Sequence, residues 1–303
     1  MKLEVIVNAS SGAGGNGGLE ERLNELFARD DLDSHILLAH SGHEILKLAK
    51  RAALGDADIV VAGGGDGTIN SVTSQLLNTK KTLGVLPLGT MNHFAKDLHI
   101  PLELEAAVET IIEGHVIKVD LGQVNDHIFV NNSSLGLYPS IVRERAKQQR
   151  LGWGKWPAYV WAAVAVLRRY PFLDIHLDVD GKALSSRTPF VFIGNNEYEM
   201  ETLNIGGRSC LDAGELSLYV TNRTGRLGLI RLAWCALFGG LRQEKDFLAM
   251  CTKEIWIETK HKRIRVALDG EVTILEPPLH YQVLPGRLRV LTPENSQPPR
   301  GET

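Results

Sequence analysis

The feature that most constrains this chain is the segment Gly63-Gly-Gly-Asp-Gly-Thr68, which lies between an apolar run and an amphipathic stretch. The run Asp58-Ile-Val-Val-Ala62 predicts a buried strand, and the periodicity from Thr68 onward predicts a helix. Glycines at the carboxyl end of a strand let backbone N–H groups turn toward an anion, and the helix N-terminus adds a positive dipole end. The segment therefore indicates a phosphate-binding loop.

The acidic residue inside this loop, Asp66, would repel a bare phosphate. A hydrated Mg²⁺ between its carboxylate and the phosphate removes that conflict, because Mg²⁺ binds one or two carboxylates together with substrate phosphates. A plain strand-to-helix turn capped by Asp66 or Thr68 is the alternative, but a cap does not need three consecutive glycines.

A second glycine-bearing loop, Pro87-Leu-Gly-Thr-Met-Asn92, follows the next predicted strand, Leu83–Leu86. Loops at the carboxyl ends of neighbouring parallel strands meet at one crevice, where open α/β sheets bind ligands. Thr90 and Asn92 can donate hydrogen bonds to phosphate or ribose there. Taken alone, the loop can equally be a turn in which Asn92 caps a helix.

The first glycine-rich loop contains a formal G-x-G-x-x-G at Gly12, Gly14 and Gly17. This pattern is typical of dinucleotide folds, but the second strand ends at His40 with no acidic residue to hold a ribose. The chain also has no GxxxxGK[ST] segment. These observations argue against a dinucleotide fingerprint and against a P-loop NTPase.

The first 120 residues alternate strand and helix patterns, as in Leu3–Val7 followed by Leu19–Arg29. Short apolar strands in βαβα order predict a parallel sheet covered by helices on both faces. We therefore expect a doubly wound α/β nucleotide domain over residues 1–122.

Beyond residue 122 the segments Asp174–Asp180 and Ile264–Leu268 alternate apolar and polar residues, and each leads into an Asp-Gly pair. This pattern predicts half-buried antiparallel strands joined by hairpin turns. We expect a β-rich, sandwich-like substrate domain over residues 123–292, helices at about 138–149, 157–168 and 226–238, and a disordered tail at 293–303.

Composition limits the binding partners and the cellular compartment that we expect for this chain. Net charge is −3, so no global field points to nucleic acid. The three cysteines are widely spaced, with no CxxC pair, which fits a reducing, cytoplasmic compartment. No apolar segment reaches the roughly 20 residues that span a bilayer, so a lipid substrate would have to be met at the membrane surface.

The glycine loops and the residues around them resemble the diacylglycerol kinase catalytic-domain family, which includes bacterial lipid kinases and sphingosine kinases and is related to NAD kinases and phosphofructokinases. The resemblance runs through nearly the whole chain, and Gly64-Gly-Asp-Gly-Thr68 is its most specific element. The other matching motifs are Asn8-x-x-Ser11-Gly12, Asn70, Pro87-x-Gly89-Thr90-x-Asn92, Val119-Asp120-Leu-Gly122, Asn132-x-Ser134-x-Gly136, Leu211-Asp212 with Gly214, and Asp269-Gly-Glu271.

This resemblance implies an ATP- and Mg²⁺-dependent kinase that phosphorylates a lipid hydroxyl, with diacylglycerol as the default acceptor and phosphatidic acid as the product. Asp66 and Asp120 would belong to the charged network around Mg²⁺. Glu271 would be the general base, with Asp269 supporting or replacing it; without the resemblance, the Asp-Gly pair indicates only a hairpin turn. ATP would lie against Asn8, Ser11, Gly12, Gly64, Gly65, Asp66, Gly67, Thr68, Asn70, Thr90 and Asn92.

Two departures from the family pattern leave alternatives open. His93 stands where the family usually has Asp, which puts metal affinity or preference in question. Ala213 replaces an Asp that ligates a structural magnesium in the bacterial lipid kinases, so that metal is not expected here. An NAD kinase and a nucleotide-binding regulator that has lost catalysis are the competing functions, although Asp66, Asp120 and Glu271 argue against the regulator.

The stretch Arg143–Arg150 is followed by Trp153, Trp156 and Trp161. Such a mixture of basic and aromatic side chains is typical of interfacial anchoring, with the cations on headgroups and the indoles at the acyl boundary. A solvated helix followed by core tryptophans explains the same pattern equally well. A homodimer is left open.

Overall fold

The computed structural model describes residues 1–11, 18–136, 139, 172–179, 181–198, 208, 210–221 and 247–294. The chain groups into two compact units. Unit 1 comprises Met1–Leu121, Cys210–Asp212 and Pro285–Thr303, and unit 2 comprises Gly122–Ser209 and Ala213–Leu284. Residues from Pro285 onward thus group with the first unit, whereas the predicted substrate domain extended to residue 292.

Unit 1 is built on a parallel sheet, as predicted. Its strands are β1 (Lys2–Asn8), β2 (Asp33–Ala39), β3 (Ile59–Gly64) and β4 (Thr82–Pro87). Their order is β2-β1-β3-β4, with every neighbouring pair parallel. Strands β3 and β4 are buried along their whole length, which is why they lack the apolar and polar alternation of a half-exposed strand.

Among the described residues of unit 1, five helices lie between or after these strands: α1 (Leu19–Leu26), α2 (Gly42–Leu54), α3 (Asp66–Leu76), α4 (His93–Asp97) and α5 (Leu104–Glu113). The predicted helices over Leu19–Arg29 and Glu103–Glu113 and the one starting near Thr68 are confirmed, with ends shifted by up to three residues. The short helix α4 has too few residues to show a period, but it begins directly after Asn92, as in the alternative that Asn92 caps a helix; the Asn92 side chain makes no capping hydrogen bond.

Two long strands, β5 (His115–Val124) and β16 (Leu279–Thr292), each contribute residues to both units. Within unit 1, Val290 of β16 pairs in parallel with Leu83 of β4, so the last described strand extends the sheet that the first residues begin. Pairing between strands so far apart along the chain produces no local pattern of residues, so the sequence did not predict that β16 joins this sheet.

Unit 2 is antiparallel. Its remaining strands are β6 (His127–Phe129), β7 (Asn132–Gly136), β8 (Leu173–Val179), β9 (Lys182–Thr188), β10 (Phe190–Asn195), β11 (Leu216–Thr221), β12 (Phe247–Thr252), β13 (Glu254–Thr259), β14 (Ile264–Leu268) and β15 (Glu271–Leu275). One sheet has the order β12-β11-β10-β7-β14-β15, and a second group runs from β16 through β13 and β8 to β9.

The core of unit 2 forms from side chains of both strand groups, including Leu177 and Ile257 from one and Ile193 and Val266 from the other. Each of these four residues is at most 2% exposed. At 25 cal/mol per Å² of apolar surface, burying side chains of this size stabilises the fold by roughly 1.5–3 kcal/mol each. The sandwich-like second domain is therefore confirmed.

Several predictions lie outside the described residues. They are Gly12 with Gly14 and Gly17, the helices near 138–149, 157–168 and 226–238, the basic and tryptophan-rich stretch Arg143–Trp161, and the tail from 295 to 303. Within the described ranges, no helix combines the length and the apolar character that a membrane-spanning helix needs.

Candidate functional site

The glycine loops of unit 1 follow the carboxyl ends of β1, β3 and β4. In the order β2-β1-β3-β4 the chain winds in opposite directions from β1, first to β2 and then back across to β3. Ligands of open α/β sheets bind in the crevice at such a switch point, which here lies between β1 and β3. The topology thus selects the end of β1 and the loop after β3 as the candidate site.

Asn8, the last residue of β1, joins the two sides of this crevice. Its Nδ2 donates a hydrogen bond to Oγ1 of Thr68 at 3.3 Å, and its Oδ1 accepts one from the backbone N of Ser10 at 3.0 Å. The backbone N of Ser11 donates to the Asn8 carbonyl at 2.9 Å. Asn8, Ser11 and Thr68, which the sequence predicted to contact a nucleotide, therefore belong to one hydrogen-bonded cluster.

Close approach explains why the loops need glycine. A Cβ atom on Gly64 would lie 2.4 Å from Oγ1 of Thr68, so a side chain there would collide with the first turn of α3. A Cβ atom on Gly65 would lie 3.4 Å from the Cα of Gly89, which is ordinary contact across the two loops. The loops after β3 and β4 therefore touch each other through their backbones, as the parallel arrangement predicted.

Asp66 begins α3 and reaches the neighbouring loop. Its Oδ2 accepts a hydrogen bond from the backbone N of His93 at 3.2 Å, and its Oδ1 accepts one from the backbone N of Phe94 at 3.1 Å. The carboxylate therefore caps the N-terminus of α4, where the positive dipole end stabilises negative charge. This contact orients Asp66 and links the two loops through a side chain as well as through backbone.

Asn92 has a different role from the predicted one of donating to a ligand. Its Nδ2 donates to the carbonyls of Pro87 and Gly89, both at 3.0 Å, and its Oδ1 accepts from the backbone N of Gly89, also at 3.0 Å. An amide has two donor hydrogens, and both are used within the loop. Asn92 is buried and shapes the loop, whereas Thr90 at its tip is exposed.

Asp120, the other predicted metal residue, lies on β5 and is 2% exposed. Its Oδ1 accepts a hydrogen bond from the backbone N of Gly286 at 2.7 Å, and its own backbone N donates to the carbonyl of Leu211 at 2.8 Å. Asp120 therefore ties together the three separate segments of the chain that make up unit 1. A buried carboxylate needs such hydrogen-bond donors to offset the loss of water.

The residues fit the Mg²⁺ that the resemblance implies. In the part of the chain that the structure describes, no three His, Cys, Asp or Glu side chains lie close enough to hold a metal ion by themselves. Mg²⁺ does not require such a cage, since it is commonly held by one or two carboxylates, several waters and the phosphates of the substrate. The oxygen-only chemistry of Asp66, held in a glycine loop, suits that mode of binding.

In unit 2, β14 and β15 form a hairpin closed by the pair Leu268 and Glu271. The two turn residues, Asp269 and Gly270, have φ angles of 47° and 86°, and such left-handed conformations favour Asp, Asn and Gly. The predicted Asp-Gly hairpin is confirmed. Glu271 is exposed immediately after the turn, while Asp269 as a whole residue is half-buried, with its carboxyl group buried against the backbone of Val130–Asn132.

The Asp269 carboxylate accepts three backbone hydrogen bonds from the strip Val130–Asn132. Oδ2 accepts from Val130 at 2.8 Å, and Oδ1 accepts from Asn131 at 2.8 Å and from Asn132 at 2.9 Å. Burial raises the pKa of this carboxyl group from 3.8 to about 6, while the three N–H donors and the charge of Arg208 act in the opposite direction. Asp269 is thus part of a buried polar network that the sequence did not predict.

Arg208, Asn195 and Tyr198 complete this network on the other side of the strip. Arg208 donates to the carbonyl of Val130 at 2.8 Å and to Oδ1 of Asn131 at 2.9 Å, and the Nδ2 of Asn195 donates to the same Val130 carbonyl at 2.9 Å. The Tyr198 hydroxyl donates to the carbonyl of Asn131 at 3.0 Å. The signal that could have revealed the network is the asparagine pairs Asn131-Asn132 and Asn195-Asn196, each next to an apolar strand.

The predicted site residues thus fall into two groups. Asn8, Ser11, Gly64–Asn70, Thr90, Asn92 and Asp120 lie in unit 1, and Asp269 and Glu271 lie in unit 2. Hydrogen bonds or close backbone contacts connect the loops that carry Asn8, Thr68, Asp66 and Gly89.

Comparison with protein families gives two matches that together span most of the chain. Residues 2–124 match the model of the diacylglycerol kinase catalytic domain. Residues 134–292 match the model of the YegS C-terminal NAD kinase beta sandwich-like domain. The two matched segments follow the change from parallel to antiparallel strands.

The similar proteins of known sequence or structure are also named as diacylglycerol kinases. The diacylglycerol kinases of Staphylococcus aureus strains JH9 and Newman are each 30% identical to this chain over 239 residues, which is 74% of this chain and 71% of the relative. A crystal structure of an inferred diacylglycerol kinase from Bacillus anthracis strain Sterne superposes with a TM-score of 0.74 at 25% identity, covering 96% of this chain and 97% of the other.

Proposed function

Because the chain belongs to the diacylglycerol kinase family, and is therefore a kinase that transfers phosphate to a hydroxyl group, we propose that its acceptor is a lipid and its donor is ATP with Mg²⁺. Diacylglycerol is the first candidate acceptor, since the relatives from Staphylococcus aureus carry that name. The product would then be phosphatidic acid.

The observation that carries this proposal is the switch-point cluster of unit 1. The hydrogen bond from Asn8 to Thr68 joins the end of β1 to the first turn of α3, which follows β3, and backbone contact between Gly65 and Gly89 adds the third loop. We assign the phosphates of ATP to this cluster because glycine loops and the N-terminus of α3 supply N–H groups and a positive dipole end. The nucleotide residues are Asn8, Ser11, Gly12, Gly64, Gly65, Asp66, Gly67, Thr68, Asn70 and Thr90, with Asn92 shaping the loop.

Asp66 and Asp120 are the proposed carboxylates of the metal network. When bound, Mg²⁺ would neutralise the charge that develops on the transferring phosphoryl group. The N–H groups of His93 and Phe94 hold the Asp66 side chain in one orientation. Its negative charge is therefore already in place for the metal, with no change of side-chain conformation. Phosphoryl transfer depends mainly on such positioning and on charge neutralisation.

Glu271 is the proposed general base. Its side chain is exposed at the end of the β14–β15 hairpin, where an acceptor hydroxyl can reach it. The hydroxyl oxygen forms a bond with the γ-phosphorus while the bond from that phosphorus to the β–γ bridging oxygen breaks, ADP leaves, and the hydroxyl proton passes to Glu271. We propose that unit 2 supplies the acceptor side of the reaction and that the protein meets its substrate peripherally, at a membrane surface.

Incubating the protein with γ-labelled ATP, Mg²⁺ and a panel of acceptors tests this function. The panel contains dispersed diacylglycerol, sphingosine, phosphatidylglycerol and NAD, and the labelled product is identified. Label in phosphatidic acid is expected. Label only in NADP would establish the NAD kinase alternative, and ATP binding without transfer to any acceptor would establish a regulator.

A further inference from the structure

Two hairpins of unit 2 have two-residue turns that the structure describes in full, so these turns can be compared directly. Asn125 opens the turn between Val124 and His127 with φ 50°, and Asp269 opens the turn between Leu268 and Glu271 with φ 47°. Since Asn holds the first turn, the backbone geometry of the second does not require a carboxylate. The charge of Asp269 must therefore be explained by what the side chain contacts.

The contacts of the two side chains differ in kind. The Asn125 side chain accepts one hydrogen bond, from the backbone N of His280 at 2.9 Å, and donates one to the carbonyl of Glu276 at 3.5 Å. The Asp269 side chain accepts three, all from consecutive N–H groups of the strip Val130–Asn132. The backbone N–H groups do not differ, since Asn125 donates to the carbonyl of His280 and Asp269 to that of Asn132, both at 2.9 Å. A carboxylate has acceptor positions on two oxygens and no donor, so it can face three N–H groups at once, whereas an amide would turn its own N–H₂ group toward them.

The strip is bonded from the opposite side by a buried cation. Arg208 is 7% exposed and donates to the carbonyls of Val130 and Asn195 and to Oδ1 of Asn131. The peptide group between Val130 and Asn131 thus points its N–H at the Asp269 carboxylate and its C=O at the Arg208 guanidinium. Both charges act favourably on this peptide dipole, so Asp269 and Arg208 hold the strip from two sides.

The hairpin turn is consequently locked to the strip. Glu271 pairs directly with Leu268 across this turn, only two residues from Asp269. Any displacement of the turn displaces the backbone of Glu271, and misplacement of a catalytic group by about 1 Å can cost on the order of 10²-fold in rate. By contrast, an Asp269 carboxylate that accepts three N–H bonds is poorly placed to take a proton from an acceptor hydroxyl.

We propose that Asp269 is the positioning residue for Glu271, and that Asp269, the strip Val130–Asn132 and Arg208 form one anchor for the hairpin. The proposal rests on the proposed function, because it takes Glu271 as the general base. In this proposal Asp269 contributes to the reaction by holding Glu271 in position. It replaces the alternative in which Asp269 itself is the general base.

A double-mutant cycle separates these roles. The variants Asp269→Asn, Glu271→Gln and the combination are compared with the wild type for kcat and for KM toward ATP, with dispersed diacylglycerol as acceptor. Asn retains the left-handed turn but places an amide N–H₂ against the strip's N–H groups. We expect Asp269→Asn to lower kcat at least tenfold with KM for ATP changed less than twofold, and to cost less than twofold further in the Glu271→Gln background.

Asp126→Asn is the matched control, since Asp126 is the exposed second residue of the other hairpin turn. Its kcat should equal that of the wild type. Equal kcat losses from Asp269→Asn in both backgrounds, or wild-type kcat in Asp269→Asn, would overturn the positioning role. The first result would mean that Asp269 acts independently of Glu271.

Hydrogen exchange measured by mass spectrometry gives a readout that needs no turnover. In Asp269→Asn the amides of Val130, Asn131 and Asn132 should exchange at least tenfold faster than in the wild type, with the peptide over α2 of unit 1 unchanged. Unchanged exchange at the strip would disprove the anchor whatever the enzyme's substrate. If the wild type phosphorylated no acceptor and yet showed the accelerated exchange on substitution, the proposed function would fail while the anchor stood.

Discussion

The backbones of Gly65 and Gly89 approach so closely that a Cβ atom on Gly89 would lie 2.4 Å from the Cα of Gly65 and 2.6 Å from Oδ1 of Asn92. The first of these contacts is with backbone, which cannot rotate away. Gly89→Ala must therefore push apart the two loops that we assign to the phosphates. We expect ATP affinity, measured by calorimetry, to fall at least about tenfold, since a tenfold change corresponds to only about 1.4 kcal/mol.

Gly42→Ala is the control for this substitution. Gly42 begins α2, and a Cβ atom there would meet nothing within 4 Å. Ala should be neutral or slightly stabilising at that position, because it loses less backbone entropy than Gly on folding. Equal ATP affinity in Gly89→Ala and Gly42→Ala would show that the contact between the loops does not contribute to nucleotide binding.

Asp66→Asn should abolish most turnover and leave the fold intact. The variant keeps one oxygen to accept from the N-terminus of α4, so the loss of stability should resemble that of a weakened helix cap, about 1 kcal/mol. Loss of the anionic charge should lower kcat by about 10²-fold or more. The change is measured as kcat over a range of Mg²⁺ concentrations, together with the thermal unfolding midpoint.

The matched control for Asp66→Asn is Asp56→Asn, which removes an exposed carboxylate that precedes β3 and pairs with Lys2. Its kcat should not change. Near wild-type activity in Asp66→Asn with the same magnesium dependence would remove Asp66 from the metal network.

The parallel sheet, the glycine loops at its carboxyl edge and the Asp269-Gly270 hairpin could be predicted because each leaves a local pattern of apolar residues or turn residues. The contacts that shape the site could not. Asp66 bonds residues 27 and 28 positions away, and Asp269 bonds Val130, which is 139 positions away. Polar contacts at such separations have no period, so the sequence could not show that Asp269 anchors a strip or that Arg208 lies behind it.

Replacing His93 should change the use of magnesium. Its backbone N–H donates to Asp66, so the His93 side chain starts from the first residue of α4, immediately beside the proposed metal carboxylate. His93→Asp adds a second carboxylate there, and the helix N-terminus favours the negative charge. We expect a lower Mg²⁺ concentration for half-maximal rate, measured at saturating ATP. An unchanged or higher requirement would place His93 outside the metal network.

Glu271→Gln tests the general base directly. The substitution keeps the shape and the hydrogen-bonding capacity of the side chain but removes its ability to accept a proton, so kcat should fall by about 10²- to 10⁴-fold. ATP affinity should remain within about twofold of the wild type, because we assign this side chain to the acceptor and not to the nucleotide. If the variant retains most of its kcat, the base must be sought elsewhere in the chain.

The charge of Asp269 should also make the stability of unit 2 depend on pH in an unusual direction. Its pKa in the folded protein, about 6, lies above the ordinary value of 3.8 because the carboxyl group is buried. Between these two values the folded state holds the proton more tightly than the unfolded state does. The contribution of this group to the free energy of unfolding is therefore fully present below about pH 4 and declines as pH rises through about 6.

The two pKa values differ by about two units, so the full effect is at most about 3 kcal/mol, of which about 1 kcal/mol falls between pH 5 and pH 7.5. Asp269→Asn lacks the titrating group, so the stability of the variant relative to the wild type should rise by that amount over this interval. Urea unfolding followed by tryptophan fluorescence measures the unfolding of unit 2, since all five tryptophans of the chain lie within the bounds of that unit. A constant difference between the two proteins from pH 5 to pH 7.5 would mean that Asp269 is ionised throughout, with the three N–H donors and Arg208 outweighing burial.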